Sequence, residues 1–163
     1  MERPDNLIME GARILPGLFR NFSGKEDRFG KPSKGYFNVA IDDDKLAEDL
    51  SKDGWNVKIL QSREEDQPPS HILKVYVNFK SGFKPPKVFM VMNGKSIRLD
   101  EESVTELDFA DIQKADLVIN PSLYDVNGKM GISAYLETGY FVCSADPFAD
   151  RYADEDGPEE EPF

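Results

Sequence analysis

Apolar and polar residues alternate along much of the chain, which is the pattern of strands with one buried face. The clearest case is 72–80, where Leu73, Val75, Val77 and Phe79 fall on one side and polar residues on the other. The same kind of pattern predicts further strands at 7–15, 18–22, 36–41, 55–60, 88–92, 96–99, 117–126 and 130–142. The chain is therefore expected to be mostly β.

One stretch has helical spacing instead. The aspartates 42–44 precede a segment in which Leu46, Ala47 and Leu50 recur every three or four residues, and Gly54 follows it. Asp is a favoured N-cap, acids suit the positive end of a helix, and Gly commonly ends one. These residues predict one short helix.

The turns between the later strands are marked by short signals. Asn93-Gly94 and Asn127-Gly128 each predict a two-residue hairpin. Pro121 cannot donate a backbone hydrogen bond, so it predicts a bulge or an edge within its strand. The acidic stretch 100–114 is expected to form a short helix or turn.

About eight short strands and one main helix predict a small, mostly β protein. The expected fold is an OB-fold-like five-stranded antiparallel Greek-key barrel, with extra strands or hairpins and one short helix. An immunoglobulin-like sandwich is the alternative, and the helix in the middle of the chain counts against it. Periodicity ends after Val142, so a folded domain at 1–143 and a flexible acidic tail at 144–163 are predicted.

Composition suggests where such a protein works. Its one cysteine, Cys143, permits no disulfide framework, which fits a reducing cytosol. No apolar run approaches the ~20 residues of a membrane span, and the first residues lack the apolar stretch of a signal peptide. We expect a soluble protein of the cytoplasm, or of the host cytoplasm if a phage encodes it.

Charge is segregated along the chain. The net charge is −11, of which 144–163 carries −7 and the remainder −4. By contrast, 74–98 holds six basic residues and no acid, and 13–38 holds six basic residues against Glu26 and Asp27. Segregated charge builds local fields, so two basic surfaces and an acidic tail are expected.

The polar side of 72–80 has the composition of a binding face. Lys74, Tyr76, Asn78 and Lys80 follow one another there. Interleaved aromatics and cations suit single-stranded nucleic acid, because bases stack on rings and phosphates attract cations. The predicted DNA-binding residues are Arg20, Phe22, Lys25, Arg28, Phe29, Lys31, Lys34, Tyr36, Lys74, Tyr76, Asn78, Lys80, Phe83, Lys84 and Lys87. The competing interpretation is that these rings are core residues of a small barrel, as we expect of the chain's one tryptophan.

The residues offer little for catalysis. With one histidine, His71, and one cysteine, the usual zinc ligand sets cannot be assembled, and no nucleotide-binding or serine-hydrolase motif occurs. Asp42, Asp43 and Asp44 could bind a divalent metal as in a nuclease, although helix capping explains them better. No enzyme and no cofactor are expected.

The last residues carry a resemblance to a known family. Glu159, Glu160, Glu161, Pro162 and Phe163 close a run of acids. This resembles bacterial and phage single-stranded DNA-binding proteins, whose OB-fold body is followed by an acidic tail that closes on Phe or Pro-Phe. Here Glu stands where Asp is usual, and no apolar residue precedes the Pro. The stretches FRNFSGKEDRFGK and DDDKLAEDLSKDGWNVKIL also look like phage members, and the body resembles them in overall pattern over 7–143.

The resemblance implies a function. It implies that the protein coats single-stranded DNA in replication, recombination and repair, and that its tail tip, Glu159 to Phe163, recruits partner proteins while the tail acids compete with DNA for the basic cleft. A tail that serves only solubility, an acidic interaction module or DNA mimic, and the Asp-cluster nuclease are the alternatives. The sequence leaves open DNA against RNA, and a homodimer against other oligomeric states.

Overall fold

The computed structural model of the protein describes residues 4–15, 19–24, 35–60, 70–79 and 85–144. Its strands are β1 (Leu7–Ile14), β2 (Arg20–Asn21), β3 (Gly35–Ile41), β4 (Val57–Leu60), β5 (Ser70–Val77), β6 (Lys87–Met92), β7 (Lys95–Leu99), β8 (Ile112–Val126) and β9 (Lys129–Cys143). Two helices, α1 (Asp44–Asp53) and α2 (Glu106–Phe109), and a 3-10 turn (Ser103–Thr105) complete the described elements. The mostly β prediction is confirmed.

Five strands close into a barrel. β5 pairs with β3, β3 with β1, β1 with β8 and β8 with β9, and β9 returns to pair with β5. The closing pair is parallel, with Val75 opposite Ala134 and Tyr76 opposite Tyr135. The other four junctions are antiparallel. This closure supports the predicted five-stranded barrel and speaks against the immunoglobulin-like sandwich.

The remaining strands extend the barrel at its margins. β4 pairs with β5, β2 pairs with β3, and β6 pairs in parallel with β9 while also forming a hairpin with β7. β5 and β6 therefore lie one after the other along the same side of β9.

Three phenylalanines form the centre of the core. Phe22 stacks on Phe37 with ring centroids 5.1 Å apart, and both meet the ring of Phe141 edge-on at 5.1 and 5.3 Å. The expected core positions of 72–80 are buried, except that Phe79 is only partly so. Trp55 is also buried, as expected of the chain's one tryptophan, and so is Cys143.

Helix α1 begins and ends as its sequence predicts. The Asp43 carboxylate accepts hydrogen bonds from the backbone N–H groups of Lys45 and Leu46, and Gly54 ends the helix at φ 105°. In the described part of the chain, no helix is both long and apolar enough to cross a membrane.

The aspartates beside this helix each have a separate partner. Asp42 pairs with Arg13 at 2.9 Å, Asp43 caps the helix, and Asp44 lies 3.7 Å from His71. The Arg13 guanidinium holds the pKa of the Asp42 carboxyl below its usual value. Across the described ranges, no group of three His, Cys, Asp or Glu side chains is placed to hold a metal ion.

Both Asn-Gly hairpins are present. The asparagine and glycine of each turn have positive φ, at Asn93-Gly94 between β6 and β7 and at Asn127-Gly128 between β8 and β9. The pairing of β1 with β8 ends at Ile119, so Pro121 lies beyond it on an edge of β8, two residues after a register shift. Proline has no backbone N–H to donate, and an edge needs none on that side. The position of Pro121 therefore agrees with the prediction of a bulge or an edge.

The acidic stretch 100–114 differs from its prediction in extent. Asp100 accepts the backbone N–H of Ser103, which lowers the pKa of its carboxyl, and the short turns that follow end by Phe109. β8 then begins at Ile112, five residues before the predicted start. The reason is that Ala115 continues the inward alternation of the later β8 residues and is fully buried.

Candidate nucleic-acid interface

Three tyrosines lie in a row across the outside of the barrel. Tyr36 of β3 is opposite Tyr76 of β5, and Tyr76 is opposite Tyr135 of β9. The Tyr76 and Tyr135 rings are 5.3 Å apart between centroids. Lys74 lies over two of the rings, its Nζ 4.3 Å from the Tyr36 centroid and 5.2 Å from that of Tyr76. We call these four residues the tyrosine face.

The pleat of the strands directs these side chains outward. Their sequence neighbours Phe37, Val75 and Ala134 are all buried, at most 1% exposed. Successive residues of a strand point to opposite sides, so the tyrosines project from the outer surface, where each is partly exposed. The row depends on both the β3–β5 register and the parallel closure by β9.

The charge at the centre of the tyrosine face is poorly compensated. Burial lowers the pKa of Lys74, and the positive charge of nearby Lys58 on β4 lowers it further. Within the described residues, the two ion pairs of Lys or Arg with an acid join Arg13 to Asp42 and Lys52 to Glu48, so neither includes Lys74 or Lys58. A partly buried ammonium group beside a second positive charge attracts an anion. The exposed tyrosine rings beside it favour an anion that carries flat groups able to stack on them.

The prediction for Phe22 is wrong. It was expected to present a ring to DNA from the same side of a strand as Arg20, but it is 1% exposed and belongs to the core. β2 contains only Arg20 and Asn21, and the chain turns at Phe22, whose N–H donates to the Asp108 carboxylate. Alternation does not extend past the end of so short a strand, and the ring turns inward.

Arg20 also lies away from the tyrosine face. Its Cα is opposite that of Phe37, whose side chain points into the barrel, whereas Asn21 is opposite Tyr36 on the outside. An Arg20 Nη donates to the carbonyl oxygen of Ala110 at 2.6 Å. Arg20 therefore ties β2 to the segment after α2, and its predicted contact with DNA is not supported.

Two other predicted residues lie on the outer surface. Asn78 follows β5 and is partly exposed, two positions beyond Tyr76. Lys87 is exposed at the start of β6. It is opposite Thr138 of β9, three residues beyond Tyr135 on that strand.

Some predicted site residues lie outside the described residues. They are Lys25, Arg28, Phe29, Lys31, Lys34, Lys80, Phe83, Lys84, Glu159, Glu160, Glu161, Pro162 and Phe163. The same holds for the whole predicted tail except Ser144. The backbone N–H of Ser144 donates to the Asp111 carbonyl oxygen at 2.9 Å, and its hydroxyl donates to the Asp111 carboxylate.

Sequence reasoning missed Tyr135 and Lys58. Tyr135 alternates with buried Ala134 and Leu136, so its outward direction was readable from the sequence. Its place beside Tyr76 was not, because that follows from a parallel pairing between strands about sixty residues apart. Lys58 belongs to the short β4, which gives too brief a pattern to assign a side.

A closed five-stranded barrel whose outer face carries cations and aromatic rings defines a nucleic-acid-binding class of protein. OB-type barrels bind nucleic-acid strands with a basic surface and stacking rings of this kind. The family model described as "Putative phage ssDNA-binding domain" matches residues 1–161, and the chain belongs to this family. The membership agrees with the prediction that the protein is not an enzyme. No curated protein sequence matches the chain.

Three solved structures that the chain matches are of bacteriophage proteins. The single-stranded DNA-binding protein of bacteriophage Enc34 is similar in a C-terminally truncated form (13% identity, 88% of each chain, TM-score 0.54). It is also similar in complex with ssDNA (12% identity, 88% of this chain and 89% of that one, TM-score 0.55). The T7 single-stranded DNA-binding protein gp2.5 matches over 97% of this chain and 98% of its own (14% identity, TM-score 0.45). The two Enc34 matches show that the fold is shared.

Proposed function

We propose that the protein binds single-stranded DNA on the tyrosine face. The observation that supports this best is Lys74, held over the Tyr36 and Tyr76 rings with a second lysine nearby. In this proposal, bases stack on the tyrosines and the backbone phosphates meet the two ammonium groups. A duplex keeps its bases paired and would leave the rings without a partner.

The family and the fold support the same ligand. The Enc34 protein, whose fold this chain shares, has been solved in complex with ssDNA. The basic and aromatic residues of 25–34 and 80–84 remain part of the proposed surface, together with Asn78. We assign no DNA contact to Phe22 or Arg20, whose side chains have other partners.

The wider role follows from unselective binding to single strands. Stacking accepts any base, so the protein would coat single-stranded DNA and prevent reannealing. We propose that it does so during replication, recombination and repair of phage DNA in the host cytoplasm. The acidic segment 144–163, with Pro162-Phe163, would recruit partner proteins and compete with DNA for the basic surface; its charge of −7 supports the second role.

A fluorescence titration with labelled oligo-dT tests the binding site. Tyr76→Ala should weaken binding roughly 5- to 100-fold, the loss expected when one base loses its stacking partner. Leu123→Ala, on an exposed part of β8, serves as the matched control and should bind like the wild type. Thermal unfolding of each variant establishes that it is folded.

The salt dependence of the same titration tests the phosphate contacts. If about six phosphates are contacted, log affinity should fall against log salt with a slope of roughly −4.

Unchanged affinity in Tyr76→Ala would place the site elsewhere on the protein. If the wild type binds no oligo-dT even at low salt, the DNA-mimic alternative stands instead.

A further inference from the structure

A second pair of rings lies farther along the outer side of β9. Phe89 of β6 stacks on Tyr140 of β9 with centroids 4.5 Å apart and ring planes within 6° of parallel. Tyr140 is 37% exposed, and Phe89 is partly exposed. Most large aromatic rings are buried, so a stacked pair at a sheet surface with one ring exposed to solvent is unusual.

Two cations lie beside this pair on the side of the β6–β7 hairpin, and a third lies on the side of β8. Arg98 of the marginal strand β7 is opposite Phe89. Lys87 precedes Phe89 by two residues on the same side of β6. Lys114 of β8 is opposite Val142, two residues beyond Tyr140. The three cations and the two rings are named here the β6 platform.

An acid lies two residues from Lys114 on the β8 side of the pair. Asp116 of β8 is opposite Tyr140, and its carboxylate accepts the backbone N–H of Gly11 at 2.8 Å. Together with Glu10 and the exposed Ile8 it lines a shallow groove between β1 and β9. A polyanion would therefore avoid β1 and follow the β6–β7 side.

The tyrosine face and the β6 platform lie on one continuous surface. Tyr135 and Tyr140 both alternate with buried residues of β9, and the register shift near 137 keeps both on the outside. Five residues of strand separate them by ~16 Å at about 3.3 Å per residue. A stacked strand rises about 3.4 Å per nucleotide along its axis, so about five nucleotides would cover that distance.

We propose that the β6 platform is a second stacking site for single-stranded nucleic acid, which continues the path from the tyrosine face along β9. The proposal rests on the function proposed above. The rings and the cations decide the ligand, because 74–98, which contributes to both sites, carries no acid. The acid of β9 between the two tyrosines, Glu137, accepts a hydrogen bond from Asn6 beside β1 at 3.0 Å. Bases stack on the exposed side of the Phe89–Tyr140 pair, and Arg98 and Lys87 meet the phosphates.

The length of the bound strand separates the two sites. Full-length protein is titrated with a short oligo-dT near the lower end of the ~4–16 nucleotide range of OB-fold sites and a long one near its upper end. Phe89→Ala should weaken binding of the long oligonucleotide roughly 5- to 100-fold and leave the short one unchanged. Tyr76→Ala should weaken both.

Further variants separate the ring from the fold. Phe89→Leu keeps apolar volume without a ring, so it should show the same loss as Phe89→Ala even if the alanine variant is less stable. Arg98→Gln should reduce the salt slope by ~0.7 for the long oligonucleotide alone. Ile8→Ala, on the acidic side, is the matched control.

The outcomes are distinct. If Tyr76→Ala weakens both lengths while Phe89→Leu weakens neither, the β6 platform is not a DNA site and the proposed function stands. If Phe89→Leu weakens both lengths equally, the platform does not extend the path, and the proposal is equally overturned. If the wild type binds neither oligonucleotide, the proposed function itself fails.

Discussion

Two aromatic residues show what a residue's own sequence context determines. Tyr76 lies within the eight-residue β5, where alternation holds, and it faces outward as predicted. Phe22 lies just past the two-residue β2, where alternation gives no direction, and it turns into the core. Side-chain direction is thus predictable inside a long strand, because neighbouring ladder bonds fix the pleat, and unpredictable where a strand ends.

The titration of Lys74 gives the first prediction at this scale. Burial and the nearby charge of Lys58 lower the pKa of Lys74, so it loses its proton, and with it the proposed phosphate contact, at a lower pH than an ordinary lysine. Oligo-dT affinity of the wild type should therefore fall as pH rises from neutral toward the ordinary lysine pKa. Lys74→Arg, whose guanidinium stays charged in this range, should show a smaller fall. Lys52→Arg, on α1, is the control, and identical pH curves for Lys74→Arg and wild type would contradict the assignment.

Gly35 gives a prediction about packing. A Cβ at this position would collide with the carbonyl oxygens of Phe22 and Val77, which are backbone atoms that cannot rotate away. Gly35→Ala should therefore lower the free energy of unfolding by about 1–3 kcal/mol, the usual cost of overpacking. Denaturant unfolding measures this, with exposed Gln113→Ala as the control. A midpoint equal to that of the control would show that the strands can separate locally.

At the scale of elements, local signals were sufficient for most of the fold. The capped helix and both Asn-Gly hairpins form where the sequence indicates them, because each depends on a few adjacent residues. The closure of β5 on β9 has no local signal, since it joins 75–76 to 134–135. The outward direction of Tyr36, Lys74 and Tyr76 was therefore recognisable strand by strand, whereas the row that adds Tyr135 required the three-dimensional arrangement.

The cap of α1 can be tested directly. Asp43→Ala removes the acceptor for two backbone N–H groups and should lower the free energy of unfolding by about 1 kcal/mol. Asp43→Ser should retain most of that stability, and exposed Asp49→Ala is the control.

Neither the wild type nor Asp43→Ala should cleave DNA with magnesium. Cleavage by the wild type that disappears in the variant would instead support a nuclease site at the aspartate cluster.

For the molecule as a whole, the distribution of charge matters more than its total. A protein with net charge −11 would repel DNA if its charges were evenly spread. Instead, the two proposed stacking sites include lysines and arginines from several strands, and the largest acidic share belongs to 144–163. Such separation allows one chain to attract a polyanion at one surface and compete with it from another segment.

Neutralising that acidic segment tests the competition. Replacing its eight acids by Asn or Gln changes the charge of the segment from −7 to +1 while keeping the full chain length. Oligo-dT binding should become tighter at low salt, and the difference should shrink as salt screens the charges. Changing Pro162 and Phe163 to Ala is the control and should leave DNA affinity unchanged. Equal affinity of the neutralised and wild-type proteins at low salt would exclude the competition.

The pairing of β1 with β8 has a consequence for biosynthesis. Leu7 is opposite Ile119, so the side of β1 that faces β8 finds its partner only after more than a hundred further residues have been made, although the end of β1 pairs with the nearer β3. At about 5–20 residues per second, its ladder groups wait several seconds. The barrel is therefore expected to form late, once nearly all of the chain has been translated, and newly made copies are the ones most exposed to aggregation.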